Sequence, residues 1–272
     1  MLLQQRSRWL SHGGAWAPPG GARDSHESVA HAALREAWEE CAIDPAAVTV
    51  HGVLRDDHGG WVYATVLASA AAPLAVAAVS EETARARWIP AHDVAGMRLH
   101  PGFAEQWPAL RAALPWALAP LTIIVDAANV MGSRPDGWWR DRAGAAERLV
   151  GQIKALADAG MPRSVLVKVG LASDDAAQPA AADGLAALDL WHPRFVVVLE
   201  GAASAAASVS SESAVTLVRA AGSGDDEIVR QAAELPGSRL VVTADRELRA
   251  RCDAAGASVV GPRWLLDVLP DR

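Results

Sequence analysis

The chain has 272 residues, enough for two domains of ordinary size. Its 51% hydrophobic content excludes a disordered polymer. The net charge is −7, with 9 basic and 12 acidic residues in 1–118 and 16 and 20 in 119–272, so neither half presents a broadly basic nucleic-acid surface. Two cysteines, Cys41 and Cys252, make neither a disulfide framework nor a zinc site, and no apolar run is long enough to span a membrane.

In chain order, Met1–Arg6 reads as a strand already under way, and Leu2-Leu3 runs into Gln and Arg rather than a signal-peptide core. The expected location is the cytoplasm. A Pro18-Pro19-Gly20-Gly21 turn follows. Ala30 to Cys41 holds strong helix formers and no Pro or Gly, which predicts a helix. Glu36, Glu39 and Glu40 stand at i, i+3 and i+4 and share one face of it. Three carboxylates so placed repel unless a cation sits among them, and an all-oxygen set suits Mg²⁺ or Mn²⁺. A solvated acidic face would account for the Glu run alone, but not for Gly21 and Glu27 spaced ahead of it.

Gly21, Glu27, Arg35-Glu36, Glu39-Glu40 and Ile43 together read G-x5-E-x7-R-E-A-W-E-E-C-A-I. This resembles the Nudix box at every charged position, with Ala42 where the family has Gly. Gly14, Trp16, Pro19 and Gly20 resemble the family's entry to the box; Trp88 and Leu99-His100-Pro101-Gly102-Phe103 resemble a subgroup of small bacterial Nudix proteins. The likeness spans about residues 1 to 112. It implies an α/β/α sandwich with a mixed sheet and hydrolysis of a diphosphate linkage in a nucleoside diphosphate derivative. Glu36 and Glu40 would then be the main metal ligands, Glu39 a further ligand or a group positioning water, and Glu27 a support. Arg35 would orient the carboxylates by bidentate pairing. Arg6, Trp16 and His100 are the substrate-binding candidates.

Three departures from the family carry expectations. Arg85 stands where relatives often have a Glu that acts as general base, and Glu82 is the nearby substitute. The family usually has another strand before Met1–Arg6, so either the true start lies upstream or the first sheet has an exposed edge there. Ala42 costs about 1 kcal/mol if the left-handed helix end is kept.

Asp56 to Gly60 reads as a hairpin turn. The first domain is expected over 1–114, with a Pro-bracketed linker at 115–120 and a second domain over 121–272. There, Leu121–Val125, Ser164–Val169, Phe195–Leu199, Ala214–Val218 and Leu240–Val242 are predicted strands. Ala143–Ala159, Asp225–Glu234 and Asp245–Ala255 are predicted helices. The alternation argues an α/β domain with a mainly parallel sheet. Ser173–Leu190 and Gly201–Ser213 read as insertions.

Carboxylates recur at the ends of these strands: Asp126, Glu200, Asp225-Asp226, then Asp245 and Glu247. In a parallel sheet such ends converge on one edge, where acids can meet around divalent ions. The pattern resembles PIN-like domains, including the NYN type. That likeness implies metal-dependent RNA cleavage, with Asp126, Asp226 and Asp245 as ligands, Asp225, Glu200 and Glu247 as further candidates, and Asn129 orienting a ligand. Helix capping is the alternative for Asp225 and Asp245, but does not account for Asp126 at a buried strand end. Trp138, Trp139, Arg140 and Arg142 either stack a base and bind phosphate or pack against the fold.

The expected protein thus joins a Nudix-type pyrophosphohydrolase to a PIN/NYN-like domain, with a nucleotide substrate, RNA as a candidate second partner and no membrane. Two alternatives remain at this stage: the nuclease half carries the principal activity, or the Nudix half only senses nucleotide. The oligomeric state does not follow from the sequence.

Overall fold

The computed structural model describes residues 1–118, 121–171, 188–201, 203 and 214–270. Most of the two expected insertions, and 119–120 of the expected linker, lie outside the described residues. The chain divides into two compact units, Met1–Ala117 with Ala172–Leu190, and Leu118–Leu171 with Trp191–Arg272. Of the returning segment in the first unit, 188–190 are described.

The first unit begins with β1 (Leu2–Arg6) and β2 (Trp16–Ala17), followed by α1 (Val29–Cys41). Then come β3 (Val48–Asp57), β4 (Val62–Ala70), β5 (Thr83–Trp88) and α2 (Pro101–Leu118). β1 lies between β2 and β5, antiparallel to both. The exposed edge expected at β1 is therefore not found; β2 and β5 take the edge positions. β3 and β4 form an antiparallel hairpin whose turn is closed by the Asp57 carboxylate accepting from Gly59 N at 2.8 Å. Among the described residues β1 with β2 and β5, and β3 with β4, pair antiparallel, and Trp16 to Leu99 is a parallel bridge.

Two cores flank β1. Alternate residues of a strand face opposite sides, so Leu3 packs with Phe103, Trp107 and Leu110 of α2. Leu2 packs with Ala37 and Cys41 of α1. Phe103, Trp107 and Leu110 recur at helical spacing, and Pro108 and Pro115 fall on the exposed side of α2. The carbonyls that lose a helical donor, those of Ala104 and Arg111, thus belong to exposed residues that water can reach. The helix continues to Leu118, so 115–118 are its last turn rather than a linker. Leu188 is fully buried beside β3, and Asp189 N donates to Val53 O at 2.9 Å. A Cβ on Gly52 would lie 2.6 Å from the Leu188 side chain, so this close approach requires glycine.

The second unit holds β6 (Thr122–Asp126), α3 (Ala127–Gly132), α4 (Arg142–Ala159), β7 (Met161–Pro162) and α5 (Arg163–Val167). The two-residue β8 (Leu190–Trp191) leads into β9 (Arg194–Leu199) and β10 (Val215–Arg219). The remainder is α6 (Gly224–Glu234), β11 (Arg239–Val242), α7 (Arg246–Ala254), β12 (Ser258–Val260) and α8 (Pro262–Leu266). Among the described residues β10-β9-β6-β11-β12 form one sheet, parallel throughout. Ile124, Val196, Val198 and Val241 pack on one face against Ile228, Leu248 and Cys252 of α6 and α7. Ser164–Val169, predicted as a strand, is instead α5 and a following turn. Its short apolar run fits either state. Packing decides, with Leu166 fully buried and Trp264 Nε1 donating to Val165 O at 3.3 Å.

Candidate active site

Ser28 caps α1, its hydroxyl accepting from His31 N at 3.1 Å. At the other end Ala42 takes a left-handed conformation, φ 58° and ψ 32°, and its N–H reaches Trp38 O. The geometry that normally calls for Gly is kept with a Cβ in place. Between the caps, Arg35 is the hub. It pairs with Glu27 in bidentate fashion, Nε to Oε1 and Nη2 to Oε2 both at 3.1 Å. Its Nη1 bonds Glu36 at 2.8 Å and Glu39 at 3.1 Å, and its Nη2 also reaches Ala22 O. The Glu27 carboxyl is held below the usual range, chiefly by its bond to Arg35.

Glu40 stands apart from this network. It is 7% exposed, and its Oε2 accepts from Gln4 Nε2 at 2.6 Å and from Gly20 N at 2.8 Å. Thr83 Oγ1 donates to Gln4 Oε1, which turns the Gln4 amide toward Glu40. Burial pushes the Glu40 carboxyl up, the two hydrogen bonds oppose it, and Glu36 and Glu82 push it further up. Gly21 lies against Glu36, where a Cβ would sit 2.5 Å from the carboxylate. The Gly20-Gly21 turn thus supplies a donor to one carboxylate and clearance to the other.

Glu82 is exposed and within electrostatic reach of Glu40. The Tyr63 phenol, raised by burial, feels both Arg6 and Glu40. Trp16 is a backbone hub, its N–H donating to Arg98 O and its carbonyl accepting from His100 N. His100 meets His12 edge-on, ring centroids 4.8 Å apart. Burial, then His12 and Arg6, hold the His100 imidazole below its usual value.

In the second unit the chain leaves β6 outward through β9 and β10, then returns to β11 and β12 on the other side. The C-terminal end of β6 is therefore the point where strand order reverses. Asp126 sits there, 7% exposed. Its Oδ1 accepts from Asn129 N at 3.0 Å and its Oδ2 from Thr243 Oγ1 at 2.8 Å. Asp126 is thus the N-cap of α3, a role its buried strand end did not suggest. Desolvation first, then Asp225 and Glu200, push its carboxyl up against those bonds. Asn129 Oδ1 accepts from Ala244 N, and Asp245 caps α7 through Leu248 N. Glu200 accepts from Gly224 N at 3.0 Å. Asp225 is raised by burial, then by Asp245 and Glu200.

Asp225 and Asp226 part company. Asp225 shares the strand-end cluster, while Asp226 is exposed and paired with Arg251 at 2.5 Å. Glu247, also exposed, acts on Arg251. Ser223, not Asp225, caps α6. Arg142 lies over the Trp138 ring at 5.4 Å, and Trp139 is exposed.

The NUDIX domain family matches residues 1–113. These residues form a Nudix domain. The chain is 41% identical over 119 residues to the Mycobacterium tuberculosis protein named "Putative 8-oxo-dGTP diphosphatase 3", across 42% of this chain and 54% of that one. It is 37% identical over 116 residues to a Bifidobacterium longum "Nucleoside triphosphate pyrophosphatase/Nudix hydrolase fusion protein", across 42% and 24%. The chain therefore spans about half the length of the first curated relative it matches. A solved Nudix hydrolase from M. smegmatis shares 43% identity over 40% of this chain and 71% of its own, with a TM-score of 0.39.

Among the described residues no three His, Cys, Asp or Glu side chains are already gathered to hold a metal ion. Within the Nudix domain the reason is visible: Arg35 draws off Glu36 and Glu39, and Glu40 turns to Gln4 and Gly20. The donor set still fits a hard divalent ion. It is all oxygen, on one helical face, with a carboxyl whose proton affinity burial raises first and its acidic neighbours raise further. Sequence reasoning missed Gln4, Thr83, Tyr63 and His12, which lie outside the box. The alternation of β1, with Gln4 opposite the Leu3 core face, was the one available signal for Gln4.

Proposed function

We propose that the Nudix domain hydrolyses a diphosphate linkage in a nucleoside diphosphate derivative, with Mg²⁺ or Mn²⁺ as cofactor. The observation that carries this reading is the division of labour on α1, where Arg35 fixes Glu36 and Glu39 while Glu40 stays buried in its own hydrogen bonds. Glu36 and Glu40 would hold the ion, with Glu39 as a further ligand or water-positioning group. Bound there, the ion supplies charge neutralisation for phosphate oxygens and lowers the pKa of an attacking water. Glu82 is the candidate to take that water's proton. Arg6, Trp16 and His100 line the substrate side. A cytoplasmic location belongs to the same proposal. Among the described residues no helix is long and apolar enough to cross a membrane.

The test is product release from a panel of nucleotides with Mg²⁺ or Mn²⁺. The relatives' names put 8-oxo-dGTP first in that panel. Hydrolysis of at least one nucleoside diphosphate derivative, lost in Glu40→Gln, supports the reading; no turnover on any member overturns it.

A second reading is favoured by the acids at the β6 switch point. In it the second unit is a PIN/NYN-like, metal-dependent RNase, using Asp126, Asp225 and Asp245 with Glu200 in support. Asp226 and Glu247 face Arg251 and take the outer positions. Asp126→Asn and Asp245→Asn should then abolish RNA cleavage and leave nucleotide hydrolysis intact. RNA left uncut by the full chain with Mn²⁺ would overturn it.

A further inference from the structure

Beside the carboxylate helix the Nudix domain gathers four basic side chains. Arg6 reaches back over the following loop, its Nε donating to Ser11 O at 3.1 Å. His12, next in that loop, has a left-handed φ of 57°. His100 meets it edge-on at 4.8 Å. Arg98 closes the group, its Nη1 lying 3.3 Å from where a Gly14 Cβ would be. The loop and the 98–100 segment are tied through Trp16, by Trp16 N to Arg98 O at 2.8 Å and His100 N to Trp16 O at 2.9 Å.

Among the described residues none of the four is in an ion pair. That is notable in a chain of net charge −7, where carboxylates are plentiful. Two guanidinium groups beside two imidazoles, with no carboxylate paired to them, make a group that an anion can join. A second feature points the same way. His100 immediately precedes the 18-residue α2, its carbonyl accepting from Ala104 N, so the positive end of the helix dipole faces the group. Arg6 is two residues along β1 from Gln4, which holds Glu40.

We propose that Arg6, His12, Arg98 and His100 form a subsite for a dianionic terminal phosphoryl group, the free end of a nucleoside triphosphate. The assignment to a substrate rests on the hydrolase reading; anion binding itself does not. Two guanidinium groups, two imidazoles and a helix N-terminus match the charge and the several acceptor oxygens of a phosphate end. An internal, singly charged phosphate would leave this set undercompensated. The depressed His100 imidazole is the state expected of the empty group, and a dianion would reverse that depression.

The test has two arms on the full chain. Without metal, pyrophosphate is titrated while the histidine ring resonances are followed by NMR. Saturable shifts at His12 and His100 are expected, with the His100 titration midpoint moving up. His12→Asn with Arg98→Gln should weaken pyrophosphate binding by about tenfold or more, the scale of a lost charge-assisted hydrogen bond; Asn suits the left-handed site. In the second arm, the same variant should raise the ratio of KM for a nucleoside triphosphate to KM for a dinucleoside triphosphate, which lacks a free phosphate end, by about tenfold. No saturable shift, or an equal KM rise for both substrates, overturns the proposal. Pyrophosphate bound at these histidines by a protein that hydrolyses no nucleotide would overturn the hydrolase reading and leave the anion site standing.

Discussion

The two units handle crowded carboxylates in opposite ways. On α1 a single guanidinium absorbs the repulsion, and Arg35 bonds Glu27, Glu36 and Glu39 at once. At the end of β6 the inner acids Asp126, Asp245 and Glu200 are held by neutral donors, namely backbone N–H groups and the Thr243 hydroxyl, with Asp225 beside them. The nearby Arg251 is spent on Asp226. A cluster with a built-in cation has its acids oriented, and its Glu27 carboxyl is held below the usual range. A cluster held by neutral dipoles leaves two members, Asp126 and Asp225, with raised proton affinity. Glu40 shows the second strategy inside the first unit, buried beside Gln4 and Gly20. The contrast teaches that carboxylate spacing on its own does not specify charge state; the partners do.

The largest effect should come from Glu40→Gln. Loss of an essential anionic ligand is expected to lower kcat for diphosphate hydrolysis by about a thousandfold or more, roughly 4 kcal/mol of barrier. The circular dichroism spectrum should be unchanged. Turnover equal to wild type at saturating Mg²⁺ would refute the assignment.

Next in size is the support of Glu40. Thr83→Val is nearly isosteric and strand-compatible, yet leaves Gln4 Oε1 without its donor. A loss of about 1–3 kcal/mol in denaturant unfolding is expected. Weaker Mn²⁺ binding should accompany it, and Thr83→Ser should restore both. A valine variant that binds Mn²⁺ like wild type would show that Gln4 holds its orientation unaided.

A smaller effect tests the neutral-donor cluster. The folded Asp126 carboxyl has a raised pKa, so the folded state holds the proton more tightly than the unfolded chain. Its contribution is fullest below the ordinary Asp value of about 3.9 and is lost as pH rises through the folded pKa. Asp126→Asn cannot lose a proton. Its stability relative to wild type should therefore improve as pH rises from about 4 to 7, by about 1 kcal/mol, the usual size of a single-site change. Melting curves across that range measure it; a pH-independent difference would mean that folding leaves the Asp126 proton affinity unchanged.

The smallest is Ala42→Gly. The left-handed conformation at φ 58° carries a Cβ penalty that Gly lacks. A gain of about 0.5–1 kcal/mol is expected, partly offset by the freer unfolded chain. A lower melting temperature would show that unfolded-state entropy outweighs the strain.

Much of this was legible in the residues themselves. The box predicted α1 nearly to its ends, because helix formers, periodic carboxylates and turn glycines agree over that stretch. The parallel sheet was legible because its strands are continuous apolar runs, as strands buried on both faces must be. Ser164–Val169 was misread because a short β-branched run carries no period that separates strand from helix. Residues 115–118 were misread because prolines on a solvent face do not break a helix whose other face is buried.

The sequence by itself determined the chemistry of the carboxylates and the helix that carries Glu36, Glu39 and Glu40, since a 3.6-residue repeat is a local property of the chain. Only the tertiary structure decided which partner each acid takes. Gln4, Thr83 and Gly20 are 36, 43 and 20 positions from Glu40, and His12 is 88 from His100. Such contacts are set by strand pairing and by the return of α2 beside the first loop, and residue spacing along the chain does not encode them.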